Sequence, residues 1–269
     1  INEKLSFAGQ STAIKAPHFV MMVIDYLNKQ YSEEFIRTAG LKIITSLDWN
    51  LQPLAEKAVA DGAKRNEELY EGKNAALVAQ DGKTGQILAH VGSRNYFDKD
   101  IEGNFDVASM GLRQPGSTIK PFAYLAAFKK GFTPDTIVFD LETEFDSTGE
   151  EGKSYKPQNF DEYFVGPITL KEALAQSKNI PAVKTLYLAG MDNVLRLAKD
   201  FGISTLTERS RYGLSLVLGG GEVKLIELVN AYSVLSQEGI KRNQSFILRV
   251  EDSRSVVLEE YSGAEKQVV

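Results

Sequence analysis

The sequence predicts a mixed α/β protein of the α+β type, an antiparallel sheet with a large helical lobe, and three observations predict it. Two short β-like runs, "AALVAQ" and "QILAHVG", flank the Gly-bearing "DGKTG", which is the signature of a hairpin. From Thr133 to about Gly239 the pattern is mostly helical, with several segments closing at glycine. The final "FILRVEDSRSVVLEEY" reads as two strands around a polar turn.

Along the chain, Phe19, Val23, Ile24 and Leu27 recur at helical spacing, so residues 16–40 are expected to form one short helix that "TAG" closes. A strand over 41–45 and a helix over about 51–69 follow, completing a lead-in unit. The hairpin comes next, then a polar stretch over 93–111 that runs into an apolar segment after Ser117. The helical region contains "ITLKEALAQS", "AVKTLYLAG", "VLRLAKDFG" and "VKLIELVNAYSVLSQEG". Neither an internal repeat nor a low-complexity tract interrupts it.

Composition narrows the chemistry. The 269 residues are 43% apolar, enough for a substantial core, and 31 Lys and Arg stand against 36 Asp and Glu for a net charge of −5. The basic residues are scattered, which argues against a nucleic-acid surface and favours small molecules or peptides as partners. With no cysteine there is no disulfide, thiol nucleophile or Cys-zinc site, and two histidines, His18 and His90, leave little for a metal centre or a Ser-His-Asp triad. No apolar run approaches the ~18 residues of a membrane span.

Within "RQPGSTIKPF", Ser117 and Lys120 stand three apart, and Pro121 is tolerated only in the first turn of a helix, so a helix begins near Ser117. The two side chains then share a face, where free backbone N–H groups favour developing negative charge. The run "FAYLAAF" is apolar on every side and marks a buried helix, which would desolvate Lys120 and depress its pKa. Two readings stay open: a nucleophilic Ser117 with Lys120 as base, or an N-cap serine beside a solvated lysine. The first places the Lys120 amine within hydrogen-bond reach of Ser117 and near Ser177.

In "SKNIPA", Ser177 and Asn179 flank Lys178 where Pro181 forbids smooth continuation of a helix, and alternation there can aim both side chains the same way. A hydroxyl can pass a proton to a leaving amine, and a carboxamide can hold a peptide carbonyl. An S-x-x-K followed by an S-x-N is the order found in penicillin-binding proteins and class A β-lactamases.

With "APHFV", "GLKIITSLDWNLQPLAEKAV", "ALVAQDGKTGQILAHVGSRNY", "RQPGSTIKPFAYLAAF", "YKPQNFDEYFVGPITLKEALAQSKNIPAV" and "LVLGGGEVKLIELVNAYSVLSQEG" in this order, residues 16–258 resemble the transpeptidase part of class A penicillin-binding proteins. The resemblance implies the penicillin-binding protein and serine β-lactamase fold, and a D,D-transpeptidase of peptidoglycan synthesis. In it Ser117 is the nucleophile, Lys120 its base, Ser177 a proton relay and Asn179 a substrate-orienting residue. It further implies stem peptides ending in D-Ala-D-Ala and β-lactams as ligands, with cell-wall synthesis proteins as possible partners and no cofactor or metal. The expected location is the extracytoplasmic face of the bacterial cytoplasmic membrane, reached through an N-terminal anchor that these residues do not include.

The same resemblance divides the chain into a linker over 1–72, following a glycosyltransferase domain, and the N-terminal and helical portion of the transpeptidase domain over 73–269. In the family a K-T-G strand follows the S-x-N block, whereas here K-T-G occurs at Lys83, Thr84 and Gly85, ahead of the nucleophile. That triplet reads as a hairpin turn with a solvated lysine. The chain alone is accordingly expected to be truncated before the motif and inactive. The alternatives are a silent scaffold, or a D,D-carboxypeptidase or serine β-lactamase of the same superfamily. "GGGEVK" reads as an interhelical turn instead of a phosphate loop, and His90 as a packed strand residue instead of a base.

Overall fold

The structure, a computed structural model, describes residues 14–146 and 154–269. Its helices are α1 (Pro17–Gln30), α2 (Glu33–Thr38), α3 (Gln52–Tyr70), α4 (Lys120–Lys129), α5 (Leu170–Ala175), α6 (Asn179–Ala189), α7 (Met191–Asp200) and α8 (Leu225–Ser236). Its strands are β1 (Lys42–Thr45), β2 (Leu77–Gln80), β3 (Ile87–Val91), β4 (Ile137–Asp140), β5 (Phe145–Asp146), β6 (Ser154–Tyr155), β7 (Gly166–Thr169), β8 (Ile240–Arg242), β9 (Ile247–Glu251), β10 (Val257–Glu260) and β11 (Glu265–Gln267). The described residues form two compact units: one takes 14–79 with Ile87–Asp106 and Ser245–Ser262, the other Gln80–Gln86, 107–146, 154–244 and Gly263–Val269.

In the first unit β9 is the middle strand of an antiparallel β1-β9-β10 sheet, with Ile43 opposite a fully buried Val250. The closing strands thus form as their alternation predicts. β2 and β3 pair separately, and α3 lies on β3 through Ala55 and Val59 against Ala89 and Val91. Gln52 pins that contact, since its amide accepts from His90 N–H at 2.9 Å and donates to His90 O at 3.1 Å. His90 is indeed a packed strand residue, fully buried with Nε2 on Asp106 Oδ2 at 2.6 Å. The single helix expected over 16–40 is two: Tyr31 is extended, and Ser32 starts α2 by accepting from Phe35 N–H at 3.3 Å. A serine N-cap at that point ended the apolar periodicity that the wider pattern had suggested.

The second unit is built around α4, whose Phe122, Ala123, Ala126 and Ala127 pack with Ala182, Val183 and Leu186 of α6 and with Val194, Leu197 and Ala198 of α7. The alanines let the helices approach closely while Phe122 fills the centre, edge-on to Phe201 and Tyr232 at 5.6 and 6.0 Å. Phe122→Ala is expected to cost about 3–5 kcal/mol, as for other buried phenylalanines, read as a lower urea midpoint at an unchanged slope.

The region expected to be mostly helical also contains strands. β4 and β7 pair antiparallel with Val138 opposite Ile168, because Ile137, Val138, Phe139 and Asp140 alternate outward and inward with period two. The first residues of "ITLKEALAQS" therefore belong to a strand, and a capping box between Thr169 and Glu172 switches the chain into α5. β8 and β11 also pair, three residues each, too short for any periodicity to announce them.

Candidate active site

Gly116, at φ +58°, turns the chain into a 3₁₀ turn over Gly116–Ile119, and α4 follows from Lys120 with Pro121 in its first turn. Ser117 is exposed on this turn, and its hydroxyl caps neither the turn nor α4. The N-cap reading of Ser117 is therefore excluded. The turn is held from two sides. Tyr232 of α8 donates its hydroxyl to Thr118 O at 2.7 Å. Gly219, the first of the "GGG" run, lies so close that a Cβ there would stand 2.4 Å from Gly116 N. "GGGEVK" is thus the turn from the 3₁₀ segment Leu214–Leu218 to α8, and its first glycine supports the serine.

Lys120 is 1% exposed, and its amine donates to Ser177 O at 2.6 Å, Ser177 Oγ at 3.1 Å and Asn179 Oδ1 at 2.8 Å. These three acceptors match the three donors of an ammonium. Ser117 Oγ is not one of them, so the i, i+3 pair shares a turn without a direct hydrogen bond. Burial lowers the Lys120 amine from 10.5 to about 8 by desolvating its charged form. The buried Lys120 amine thus meets the exposed Ser177 and the half-buried Asn179, with Ser117 one turn away along the same helix entry.

The S-x-N pair meets Lys120 because the chain breaks between α5 and α6. Ser177 takes the left-handed conformation at φ +53°, and Lys178 is extended. Alternation then sends Lys178 the other way, where its buried amine reaches Asp161 Oδ2 at 2.8 Å and Tyr163 O at 3.2 Å. The helical pattern breaks ahead of Pro181 as the sequence suggests, α5 ending at Ala175, and Pro181 itself stands within the first turn of α6, where its missing N–H has no partner to lose. Asn179 Nδ2 also donates to Gln158 O at 2.8 Å.

Lys83, Thr84 and Gly85 close the turn between β2 and β3. Asp81 organises it, accepting from Lys83 N–H at 2.8 Å and Gly85 N–H at 2.7 Å, and Lys83 is exposed. Gly85, at φ +77°, sits where a Cβ would come within 2.6 Å of Asn243 O. Tyr232 and Gly219, which hold the Ser117 turn, escaped the sequence reading; only the triple glycine hinted at the second. Among the described residues no group of three or more His, Asp or Glu could hold a metal ion, and no helix is long and apolar enough to cross a membrane.

An antiparallel α+β scaffold in which S-x-x-K opens a buried helix and S-x-N meets its lysine is the arrangement shared by penicillin-binding proteins and class A serine β-lactamases. The penicillin binding protein transpeptidase domain family matches residues 75–268, and the chain belongs to that family. Penicillin-binding protein 2D of Bacillus subtilis is 37% identical over 275 residues, covering 100% of this chain and 38% of the relative. Penicillin-binding protein 1A of Neisseria flavescens is 36% identical over 179 residues, 66% of this chain and 22% of the relative. The chain thus spans well under half the length of these relatives. Among solved structures, penicillin-binding protein 1A from Haemophilus influenzae superposes with a TM-score of 0.79 at 22% identity, over 92% of this chain and 50% of that one. PonA1 from Mycobacterium tuberculosis, solved in complex with penicillin V, gives 0.76 at 24% identity, over 94% of this chain and 67% of that one. These superpositions establish the shared fold.

Proposed function

We propose that this chain carries the acyl-transfer site of a D,D-transpeptidase of peptidoglycan synthesis, with Ser117 as nucleophile. The observation that carries the reading is the buried Lys120 amine, held on Ser177 and Asn179 at the base of the Ser117 turn. The neutral amine carries a lone pair, and turning it from its present acceptors toward Ser117, with which it makes no hydrogen bond in the resting site, lets it take the Ser117 proton as Oγ attacks the carbonyl of the penultimate D-alanine. The new C–O bond forms as the peptide bond to the terminal D-alanine breaks, and that leaving amine takes a proton through Ser177 Oγ, which already lies 3.1 Å from Lys120. An amine from a second stem peptide then attacks the ester, restores the Ser117 hydroxyl and forms the cross-link. Asn179, with Nδ2 carrying one further donor beyond Gln158, orients the substrate backbone.

Protons and one acyl group move in these steps, and no cofactor enters. A β-lactam presents a strained amide to the same hydroxyl and leaves a stable ester. The reading places the site on the extracytoplasmic face of the bacterial membrane, where stem peptides are displayed. Incubation of the full-length protein with a fluorescent penicillin, followed by denaturing gel and peptide mapping, tests it. A lasting adduct on Ser117 is expected. A transient adduct would favour a β-lactamase or carboxypeptidase, and no adduct a silent scaffold.

A further inference from the structure

Behind the S-x-N pair lies a buried polar network that the acyl-transfer steps do not use. Asn159, 3% exposed, sits in the loop between β6 and β7, and all four of its hydrogen-bonding positions are filled. Its Oδ1 accepts from Asn179 N–H at 2.8 Å and Ile180 N–H at 3.3 Å, the first free amides of α6. Its Nδ2 donates to Asp140 Oδ1 at 2.8 Å and Tyr163 O at 2.9 Å. Only this orientation of the amide fits, since one end faces two donors and the other two acceptors. Asp140 is fully buried at the end of β4, and its second oxygen accepts from Val165 N–H at 3.2 Å. The neighbouring residue supplies a second strap, because Gln158 O receives Asn179 Nδ2 at 2.8 Å.

We propose that Asn159, anchored by Asp140, is a positioning residue that fixes the start of α6 and thereby the placing of Asn179 Oδ1 on Lys120. The inference rests on the acyl-transfer reading above. Asn179 is the first residue of α6, so its backbone is half free; Gln158 O holds its Nδ2 from the loop side, and Asn159 Oδ1 is the side-chain acceptor that fixes its backbone N–H. Asn159 acts as that acceptor, and the β4 carboxylate sets the direction of Asn159. A shift of about 1 Å in such a group costs about 10²-fold in rate. Lys184 and Tyr124 lie within electrostatic reach of Asp140, and neither bonds to Asn159.

The test exchanges donor and acceptor. Asn159→Asp keeps the acceptor for the two α6 amides but sets a second carboxylate against the buried Asp140. It is expected to slow acylation by a fluorescent penicillin about 10²-fold and to speed hydrogen exchange of the Asn179 and Ile180 amides. The double variant Asp140→Asn/Asn159→Asp returns a donor facing an acceptor at the contact with residue 140, leaving Tyr163 O to its Lys178 donor alone, and should recover acylation to within about tenfold of the original, together with amide protection. A purely structural role would restore folding without restoring the rate. Wild-type acylation in Asn159→Asp, or a double variant that fails to fold or folds without recovering acylation and protection, overturns the inference. Ser117→Ala in the same series separates the two readings: adduct persisting there breaks the acyl-transfer reading, whereas the exchange rates report on Asn159 without any chemistry.

Discussion

In the full-length protein, Ser117→Ala is expected to abolish covalent labelling by penicillin at any time of incubation while leaving the fold as it is. Both halves follow from the geometry. The adduct is an ester through Oγ, so removing that atom removes the product itself, and losing a serine nucleophile costs about 10⁶ in rate in serine hydrolases. The side chain is exposed and caps nothing, so its loss should change stability by less than about 0.5 kcal/mol. Gly116, Gly219 and Tyr232 hold the turn through backbone contacts that the substitution leaves in place. Labelling at another serine, or an unfolded Ala variant, would remove Ser117 from the role assigned to it.

The chemistry was legible where local rules are strong. Pro121 limits where α4 can start, and the all-apolar "FAYLAAF" forces its burial, so a desolvated Lys120 could be read from the local sequence. The S-x-N pair was legible as a break in helical pattern, and alternation across the break brings Ser177 and Asn179 to one amine while Lys178 turns to Asp161. What stayed hidden depends on tertiary distance. No local signal tells that Asn159 lies under Asn179, that Asp140 faces Asn159, or that the hydroxyl of Tyr232 reaches Thr118.

The fold shows the same division. Long periodic helices and the β2–β3 hairpin follow their patterns, as does the β9–β10 pair. The misreadings fall where an element is short or where two signals overlap. β4 and β7 lie inside a helical stretch, and β7 runs without interruption into the capping box of α5, so one apolar pattern served two structures. The split of the first helix turned on Ser32, one polar residue inside an otherwise regular pattern.

Lys120→Arg is expected to be nearly as damaging as Lys120→Ala, slowing acylation by about 10²–10⁴, the usual contribution of a general base. Charge and hydrogen bonding alone would predict the opposite, since a guanidinium keeps the charge and has donors enough for Ser177 and Asn179. The difference is the proton: arginine does not give it up near neutral pH, whereas burial brings Lys120 down to about 8. At pH 7 about one-tenth of the lysine is then neutral, and the acylation rate of the original protein should climb as pH rises through about 8 and level off above it. Stability carries the same sign. Because the folded value lies below the unfolded one, the unfolded chain binds the extra proton between about 8 and 10.5, and this group's contribution to stability increases with pH across that window. Stopped-flow acylation between pH 6 and 10 reads the first effect for all three proteins. Lys120→Arg should give a low, flat profile, and Lys120→Ala a lower midpoint of unfolding as well, from the volume lost beneath the turn. An arginine variant keeping most of the rate, or an original protein whose rate ignores pH from 6.5 to 9, would show that Lys120 serves as a charge and not as a base.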